Sequence, residues 1–252
     1  MKAAIIFILI IFPFGLKAQL NERFTDGNFT QNPKWRGQVS SWIVNNQFQL
    51  QSNDSIANNL FYLSTENTQA LQTTWTFTCQ LNFNTSGLNY VDVYLISTDS
   101  NLINARNTGY FVRLGNTNDE VALYRKDSLV VVKIIDGVNG SLNNSSSLVT
   151  VRVERSDSCK WTLFYAVNNN PEQWAGSFND STYLQSSYFG ILIKQSTSSF
   201  FSKHIIDDIA VATIVRDSFP PVLDSVALVD SLHLNLFFNE MINPLSVSNV
   251  LH

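Results

Sequence analysis

Hydrophobic and polar residues alternate with a period of two through much of the chain. The segment from Thr74 to Phe83 is the clearest case, since every second residue is apolar and the residues between them are polar. Successive side chains of a strand point to opposite faces, so this pattern predicts a strand with one buried face. The same pattern recurs in Val149 to Glu154 and in Trp161 to Val167, on either side of a short turn. Those two segments predict a β-hairpin.

A second hairpin is predicted within Gly109 to Asp127. Two apolar runs, Tyr110 to Leu114 and Val121 to Tyr124, flank a cluster of turn-forming residues from Gly115 to Asp119. Further strands are predicted at Ser41 to Gln51, Asn59 to Leu63, Tyr90 to Ile96, Leu129 to Ile135, Ser187 to Lys194 and His204 to Thr213. Many short strands separated by turn residues, without a sustained helical period, favour an all-β sandwich.

The order and spacing of several segments resemble one known family. These segments are FTDGNFTQNPKWRG (24–37), LNFNTSGLNYVDVYLIS (81–97), the hairpin at 109–127, KIIDGVNG (133–140), VRVERSDSCKWTLF (151–164), SSYFGILIKQSTS (186–198) and IIDDIAV (205–211). Together they resemble the concanavalin-like (LamG-like) jelly-roll module at the N-terminal end of exported Gram-negative proteins with Ig-like and lamin-tail domains. The resemblance implies a jelly-roll β-sandwich over residues 20–215 and a non-catalytic role.

The character of the chain changes at Pro220-Pro221, because neither proline can donate an N–H to a β-ladder. We predict a linker over residues 216–221. Residues 222–252 resemble the first hairpin of an S-layer-type Ig-like domain, with Asp230-Ser231 at the turn and a Phe-x-Glu motif at Phe238 to Glu240. An Ig-like domain needs about 100 residues. We therefore expect an incomplete Ig-like segment after the sandwich.

The first 18 residues have the composition of a secretory signal peptide. Lys2 precedes an apolar run from Ala3 to Phe12, and Leu16 and Ala18 occupy the −3 and −1 positions before Gln19. The run is too short to span a bilayer core of roughly 30 Å. We therefore expect cleavage after Ala18, a secreted or cell-surface protein, and no membrane span in the mature chain. An N-terminal membrane anchor is the alternative.

Charge and cysteine content limit the partners and the cross-links. Without Lys2 and Lys17 the chain has 14 basic and 20 acidic side chains, a net charge of −6. An acidic chain without a basic patch argues against nucleic acid as a partner. The two cysteines, Cys79 and Cys159, lie on an apolar strand face and after a turn, so we predict that they stay unbonded; a disulfide is the alternative.

The pattern of acidic residues argues against catalysis. Retaining glycoside hydrolases on such sandwiches need two carboxylates roughly 5 to 5.5 Å apart, which period-two spacing on one strand supplies. No glutamate of this chain has an acidic residue two positions away. His204, His233 and His252 are remote from any nucleophile motif, so we predict that they lie at the surface and that the protein is not an enzyme.

Calcium is the one candidate cofactor. In related sandwiches the first and last strands lie side by side, so Asp26 and either Asp207 or Asp208 could share oxygen ligands for the ion. The alternative is that Asp26 belongs to a turn and that the aspartates bond neighbouring backbone N–H groups.

Aromatic residues are the candidates for ligand contact. Trp35, Trp75 and Trp161 are expected in the core. Trp174, in a predicted polar loop, is the first surface candidate, and Tyr183 and Tyr188 are the others.

Two functions follow from these observations. The first is a non-enzymatic structural or adhesive module of a multidomain exported protein, which would contact other cell-surface proteins. The second is a carbohydrate-binding module that brings an attached enzyme to surface glycans. A shallow aromatic patch on one sheet would favour the second, whereas uniformly polar outer faces would favour the first.

Overall fold

The computed structural model describes residues 20–214, 221–230 and 234–239, and its contacts divide the chain after Ile214 into two units. The predicted signal peptide, residues 1–18, and the predicted linker up to Pro220 lie outside the described residues. The predicted extents of the sandwich, the linker and the Ig-like segment stay predictions.

The first unit is built from antiparallel strands and two short 3₁₀ turns, Val39–Ser41 and Ser198–Phe200. Its strands are β1 (Leu20–Glu22), β2 (Arg36–Gly37), β3 (Trp42–Val44), β4 (Leu50–Ser52), β5 (Asn59–Glu66), β6 (Thr73–Leu81), β7 (Tyr90–Ser97), β8 (Thr108–Gly115), β9 (Glu120–Asp127), β10 (Val130–Ile135), β11 (Ser147–Arg155), β12 (Lys160–Val167), β13 (Gln173–Asn179), β14 (Tyr188–Gln195) and β15 (His204–Thr213).

These strands form two sheets. The first sheet has the order β13-β12-β11-β6-β15-β4-β3, with β1 also paired to β15. The second sheet has the order β10-β9-β8-β7-β14-β5-β2. The prediction of an all-β jelly-roll sandwich is confirmed.

The core lies between the inner faces of the two sheets. On β6 the burial of side chains alternates as the sequence predicts, with Trp75 and Phe77 buried and the threonines between them half-buried. Trp75 stacks on Trp161 of β12, with ring centroids 5.6 Å apart and an interplanar angle of 19°. Trp35 is also buried. The expectation that these three tryptophans belong to the core is confirmed.

Two predicted segments differ from the structure. Ser41 to Gln51 is not one strand, because the Asn45 side chain accepts hydrogen bonds from the backbone N–H groups of Gln47 (2.9 Å) and Gln49 (3.0 Å) and turns the chain between β3 and β4. Trp174 lies on strand β13 and not in a loop. That strand has a bulge opposite Leu163 and Phe164, so it lacks the alternation that identifies a strand in sequence.

His204 is fully buried, so the prediction that it lies at the surface is wrong. It belongs to β15, where its ring packs 4.7 Å from that of Phe83 and its Nδ1 atom lies 3.1 Å from the Ser52 hydroxyl. The apolar residues that alternate on β15 continue through this position, and the histidine is buried with them. His233 and His252 lie outside the described residues.

Cys79 and Cys159 are separate thiols. Cys79 is buried on β6, and Cys159 lies in the turn that follows β11. The register pairs Arg155, at the end of β11, with Thr73, six residues from Cys79 along β6, which corresponds to roughly 20 Å. A disulfide needs Cα atoms within about 7 Å.

The second unit contains a hairpin. Strands β16 (Leu223–Leu228) and β17 (Leu234–Phe238) pair antiparallel, as the alternation in this segment predicts. Val226, Leu228 and Leu236 are more than half exposed. The assignment to an Ig-like domain stays a prediction. Among the residues that the structure describes, no helix has the length and apolar content needed to cross a membrane.

The burial of His204 predicts a pH dependence of stability. Desolvation lowers the pKa of His204 to about 3, well below its value in the unfolded chain, which is near 6.5. As the pH falls below 6.5 the unfolded chain gains a proton that the folded chain cannot accept. The free energy of unfolding should then fall by up to about 1.4 kcal/mol per pH unit.

The measurement is urea unfolding at pH 7, 6 and 5 for the protein and for His204→Gln. The variant should lose less stability between pH 7 and 5, since the carboxylates titrate equally in both proteins. The same loss in both would contradict this account.

Candidate functional site

The outer face of the second sheet carries an aromatic cluster. Antiparallel sheets commonly present a polar face to water. Strands β7, β8 and β9 depart from this rule, because side chains on both of their faces are buried. The outer side chains form what we call the outer cluster, which contains Tyr94, Leu102, Phe111, Ala122, Tyr124 and Leu192, with Leu60, Tyr62 and Tyr90 packed against it.

The register of the strands builds a row of three rings across this face. Tyr94 of β7 is opposite Phe111 of β8, and Phe111 is opposite Tyr124 of β9. The first two rings stack with centroids 5.0 Å apart, and the second two with centroids 5.3 Å apart and an interplanar angle of 7°. Aromatic pairs in adjacent strands stabilise a sheet. Here they also form a rigid apolar floor.

A charged pair lies beside this row. Arg113 of β8 is opposite Asp92 of β7, and its Nε and Nη2 atoms donate to the two carboxylate oxygens at 2.6 and 2.7 Å. The side chains are only 16% and 4% exposed. The guanidinium lies 3.9 Å from the ring centroid of Tyr90. Burial raises the pKa of Asp92, and the positive charge and hydrogen bonds of Arg113 oppose that shift.

The loop from Thr98 to Asn107 forms a wall above this floor. The Asn107 Oδ1 atom accepts hydrogen bonds from the Ser97 hydroxyl (2.9 Å) and from the backbone N–H of Asp99 (3.2 Å). Leu102, from the middle of the loop, sits directly on Gly190 of β14. A Cβ atom at position 190 would lie 2.7 Å from Leu102 Cδ1 and 2.7 Å from a backbone carbonyl oxygen, so only glycine permits this contact.

Floor and wall enclose a small pocket, which we call the outer pocket. Its volume is about 160 Å³. It is lined by Leu60, Tyr90, Asp92, Tyr94, Leu102, Ile103, Phe111, Arg113, Lys126, Val131 and Leu192. Most of these side chains are apolar or aromatic, and three carry charge. Pockets with apolar walls and few polar groups are typical of small-molecule sites, and this one has room for about one sugar-sized ring.

The three aromatic residues predicted to contact a ligand do not share one surface. Trp174 is 64% exposed on β13, an edge strand of the first sheet. The Tyr183 hydroxyl donates to Asp127 Oδ1 at 2.9 Å, which ties this residue into the structure. Tyr188 is half-buried on β14 of the second sheet. Because its neighbour Phe189 points into the core, Tyr188 faces the same side of the sheet as the outer pocket.

The acidic residues predicted to bind calcium each have a protein partner. Strands β1 and β15 do pair, as the resemblance implies. However, Asp208 Oδ1 lies 3.2 Å from Arg23 Nε. Both carboxylate oxygens of Asp26 accept hydrogen bonds from Asn28, and Asp207 Oδ1 accepts one from the backbone N–H of Asp208 at 2.8 Å.

Calcium requires six to eight oxygen ligands around the ion. Within the described residues, no group of three or more histidine, cysteine, aspartate or glutamate side chains could hold a metal ion. The hydrogen bonds of Asp26 and Asp207 match the alternative in which these aspartates bond neighbouring backbone and turn groups, and the calcium site stays a prediction.

The chemistry of the outer pocket favours binding over catalysis. Glycoside hydrolysis uses two carboxyl groups, one as acid and one as nucleophile or base. Asp92 is the carboxylate among the residues that line this pocket, and both of its oxygens are held by Arg113. The arrangement can hold a ring and its substituents, whereas it offers no acid and base pair.

Sequence reasoning missed the outer pocket. The residues that form it alternate on their strands, with Tyr90, Asp92 and Tyr94 on β7 and Phe111 and Arg113 on β8. The signal was the nearly continuous apolar and aromatic character of these strands, which only Asp92 and Arg113 interrupt between Tyr90 and Ile96 and between Tyr110 and Leu114. A strand whose two faces are both apolar, within a sandwich of alternating strands, indicates that its outer face is covered or used.

Comparisons with known proteins give the fold. No protein-family model matches the chain, and no curated protein matches its sequence. Among solved structures, it is similar to the carbohydrate binding module CBM66 from Bacillus subtilis, with a TM-score of 0.50 and 10% identity over 72% of this chain and 97% of the other.

Two further solved structures are similar to this chain. The exoplasmic/lumenal domain of VIP36, solved with Ca²⁺ and Man3GlcNAc bound, gives a TM-score of 0.57 at 10% identity and covers 74% of this chain and 86% of its own. The carbohydrate recognition domain of Emp47p gives 0.56 at 12% identity, with 77% and 95% covered. At these identities the likeness shows a lectin-like jelly-roll fold.

The Arg113–Asp92 pair predicts an asymmetry between single and double variants. Asp92→Leu leaves a guanidinium without its counter-ion in a mostly buried position, and it should lower the free energy of unfolding by about 3–5 kcal/mol. The double variant Asp92→Leu/Arg113→Leu removes both charges and should lose clearly less. Urea unfolding of the three proteins measures this. A double variant at least as destabilised as Asp92→Leu would show that packing, and not the charge pair, sets the stability of this face.

Proposed function

We propose that this chain is a non-catalytic carbohydrate-binding module and that its ligand binds in the outer pocket. The observation that carries the proposal is the outer cluster itself. It places stacked rings, a fixed ion pair and a loop wall around a cavity on a sheet face that would otherwise be polar. An apolar floor with a few fixed polar groups suits a sugar, whose ring has apolar C–H faces and a polar rim.

The pocket is already formed without a ligand. The rings are stacked against one another, and Arg113 is held by two short hydrogen bonds, so little side-chain freedom remains to be lost on binding. The pocket is nevertheless small and open at the surface. A single ring buries little area, and the entropy lost on association offsets much of the gain, so we expect weak binding per site.

The contrast between the two sheets supports the same function. The outer positions of β6 in the first sheet are Thr74, Thr76, Thr78 and Gln80. A purely structural module would have such polar outer faces on both sheets, whereas the second sheet has the outer cluster. The carbohydrate-bound state of VIP36 belongs to that protein and adds only that this fold can present a sugar site.

The proposal also covers export of the chain and the domains that accompany the module. We propose that the chain is exported by its predicted signal peptide, and that the module acts outside the cell as part of a larger surface protein with an Ig-like segment after the sandwich.

The test is retention on a glycan array for the full chain and three variants. Tyr90→Ala removes a ring from the pocket, and Ile103→Ala shortens the loop wall at a side chain that is 38% exposed. Both should reduce retention at least about tenfold. Trp174→Ala, on the first sheet, is the matched aromatic control. It should leave retention unchanged, and it should change the melting temperature by no more than a few degrees.

Loss of retention in Trp174→Ala alone would place the site on the first sheet, at the residue that the sequence favours. Retention of no glycan by the folded protein, or turnover of a bound glycan, would contradict a non-catalytic binding module. Repeating the array with EDTA tests the calcium prediction for Asp26, Asp207 and Asp208. Loss of retention would support a calcium ion at these aspartates, and unchanged retention would count against it.

A further inference from the structure

The charges in the outer pocket do not cancel. Asp92, Arg113 and Lys126 are the charged residues that line it. Arg113 and Asp92 neutralise each other through their two hydrogen bonds. The positive charge of Lys126 therefore remains as the net charge of the residues that line the pocket. The Lys126 Nζ atom donates to the backbone carbonyl of Ser128 at 2.5 Å, and among the described residues Lys126 takes part in no salt bridge.

Two other lysines lie near the outer cluster, and both have partners; Lys194 donates to the Asn58 side chain at 2.7 Å. Lys133 of β10 reaches both Glu120 and Asp136 at 2.6 Å. Lys126 therefore differs from Lys133, since it faces a cavity and, among the described residues, has no carboxylate within salt-bridge distance; Asp92, which is held by Arg113, attracts it only from across the pocket. The chain as a whole carries a net charge of −4, so a pocket with a net positive charge runs against the average of the protein.

We propose that the outer pocket takes a saccharide residue with an anionic substituent, a carboxylate or a sulfate ester, which pairs with the Lys126 ammonium. This inference rests on the proposed function and names the class of sugar. The ring lies on the apolar floor, and the anionic group points to the β9–β10 side of the pocket, where Lys126 and Val131 are opposite each other. Arg113 Nη1, which no hydrogen bond to Asp92 uses, is available to a sugar hydroxyl.

Desolvation supports this assignment. Burial lowers the pKa of Lys126, and the negative charge of Asp92 opposes that shift without cancelling it. A neutral sugar would displace more water from this charge and leave it without a counter-ion, and an unpaired charge in a covered site is costly. An anionic group would supply the missing counter-ion. The pocket should therefore discriminate by charge as well as by shape.

The test uses matched pairs of probes that differ only in charge. Trigalacturonate and its fully methyl-esterified form share one backbone, as do a galactan oligosaccharide with and without sulfate esters. Affinities for the full chain should favour the anionic member of at least one pair by about tenfold or more. The pair that shows this difference identifies the substituent as a carboxylate or a sulfate. The preference should weaken as ionic strength rises.

Lys126→Met keeps the length of the side chain and removes its charge, so it should lower the affinity for the anionic probe to that for its neutral partner and thereby abolish the preference. Lys160→Met, at an exposed lysine on the first sheet, is the matched control and should change neither affinity.

Equal affinity for both members of both pairs, with Tyr90→Ala still weakening binding, would overturn the charge assignment and leave the proposed function standing. A charge preference that survives in Lys126→Met would also overturn it. Binding of none of the probes would overturn it too, and retention of neutral glycans alone on the array would then preserve the proposed function.

Discussion

The outer face of the second sheet depends on the buried ion pair between Arg113 and Asp92. The register places the two residues opposite each other on β8 and β7, and the neighbouring rings exclude water from them. Removing charges from water costs free energy that only close, bidentate hydrogen bonds can offset. The pair in turn fixes the guanidinium over Tyr90 and beside Phe111 and Tyr124. Rings and charges thus hold one another in place.

The two sheets share the core on their inner faces and differ in the side chains that their outer faces carry. The inner faces of both sheets supply the core, in which the stacked Trp75 and Trp161 are buried. The outer positions of β6 in the first sheet are polar, whereas the outer side chains of β7, β8 and β9 in the second are largely apolar and are covered in part by the loop from Thr98 to Asn107. A sandwich needs no second apolar cluster for stability, and an apolar patch on an outer face commonly marks a binding site. The proposed binding of a ligand would account for the cost of the buried charges.

Much of the fold could be predicted from the sequence, and little of the site. The alternation of apolar and polar residues identified β6 and the hairpin of β11 and β12, since each of these strands has one buried face and one face toward solvent. The irregular strand β13 and the turn at Asn45 were missed, because a bulge and a side-chain hydrogen bond interrupt the period. The outer pocket joins residues of β5, β7, β8, β9, β10, β14 and one loop. These residues are close in space because β14 pairs with both β5 and β7. No local sequence pattern reveals that pairing.

The most direct measurement is an NMR titration of the isotope-labelled chain with a glycan that the array retains. If the ligand occupies the outer pocket, the amide signals of Tyr90 to Tyr94, Phe111 to Arg113 and the loop from Thr98 to Asn107 should shift together and saturate with one affinity. The signals of β13 around Trp174 should stay in place. Shifts confined to β13 and its neighbours on the first sheet would contradict the account, because the ligand would then bind on the opposite side of the sandwich.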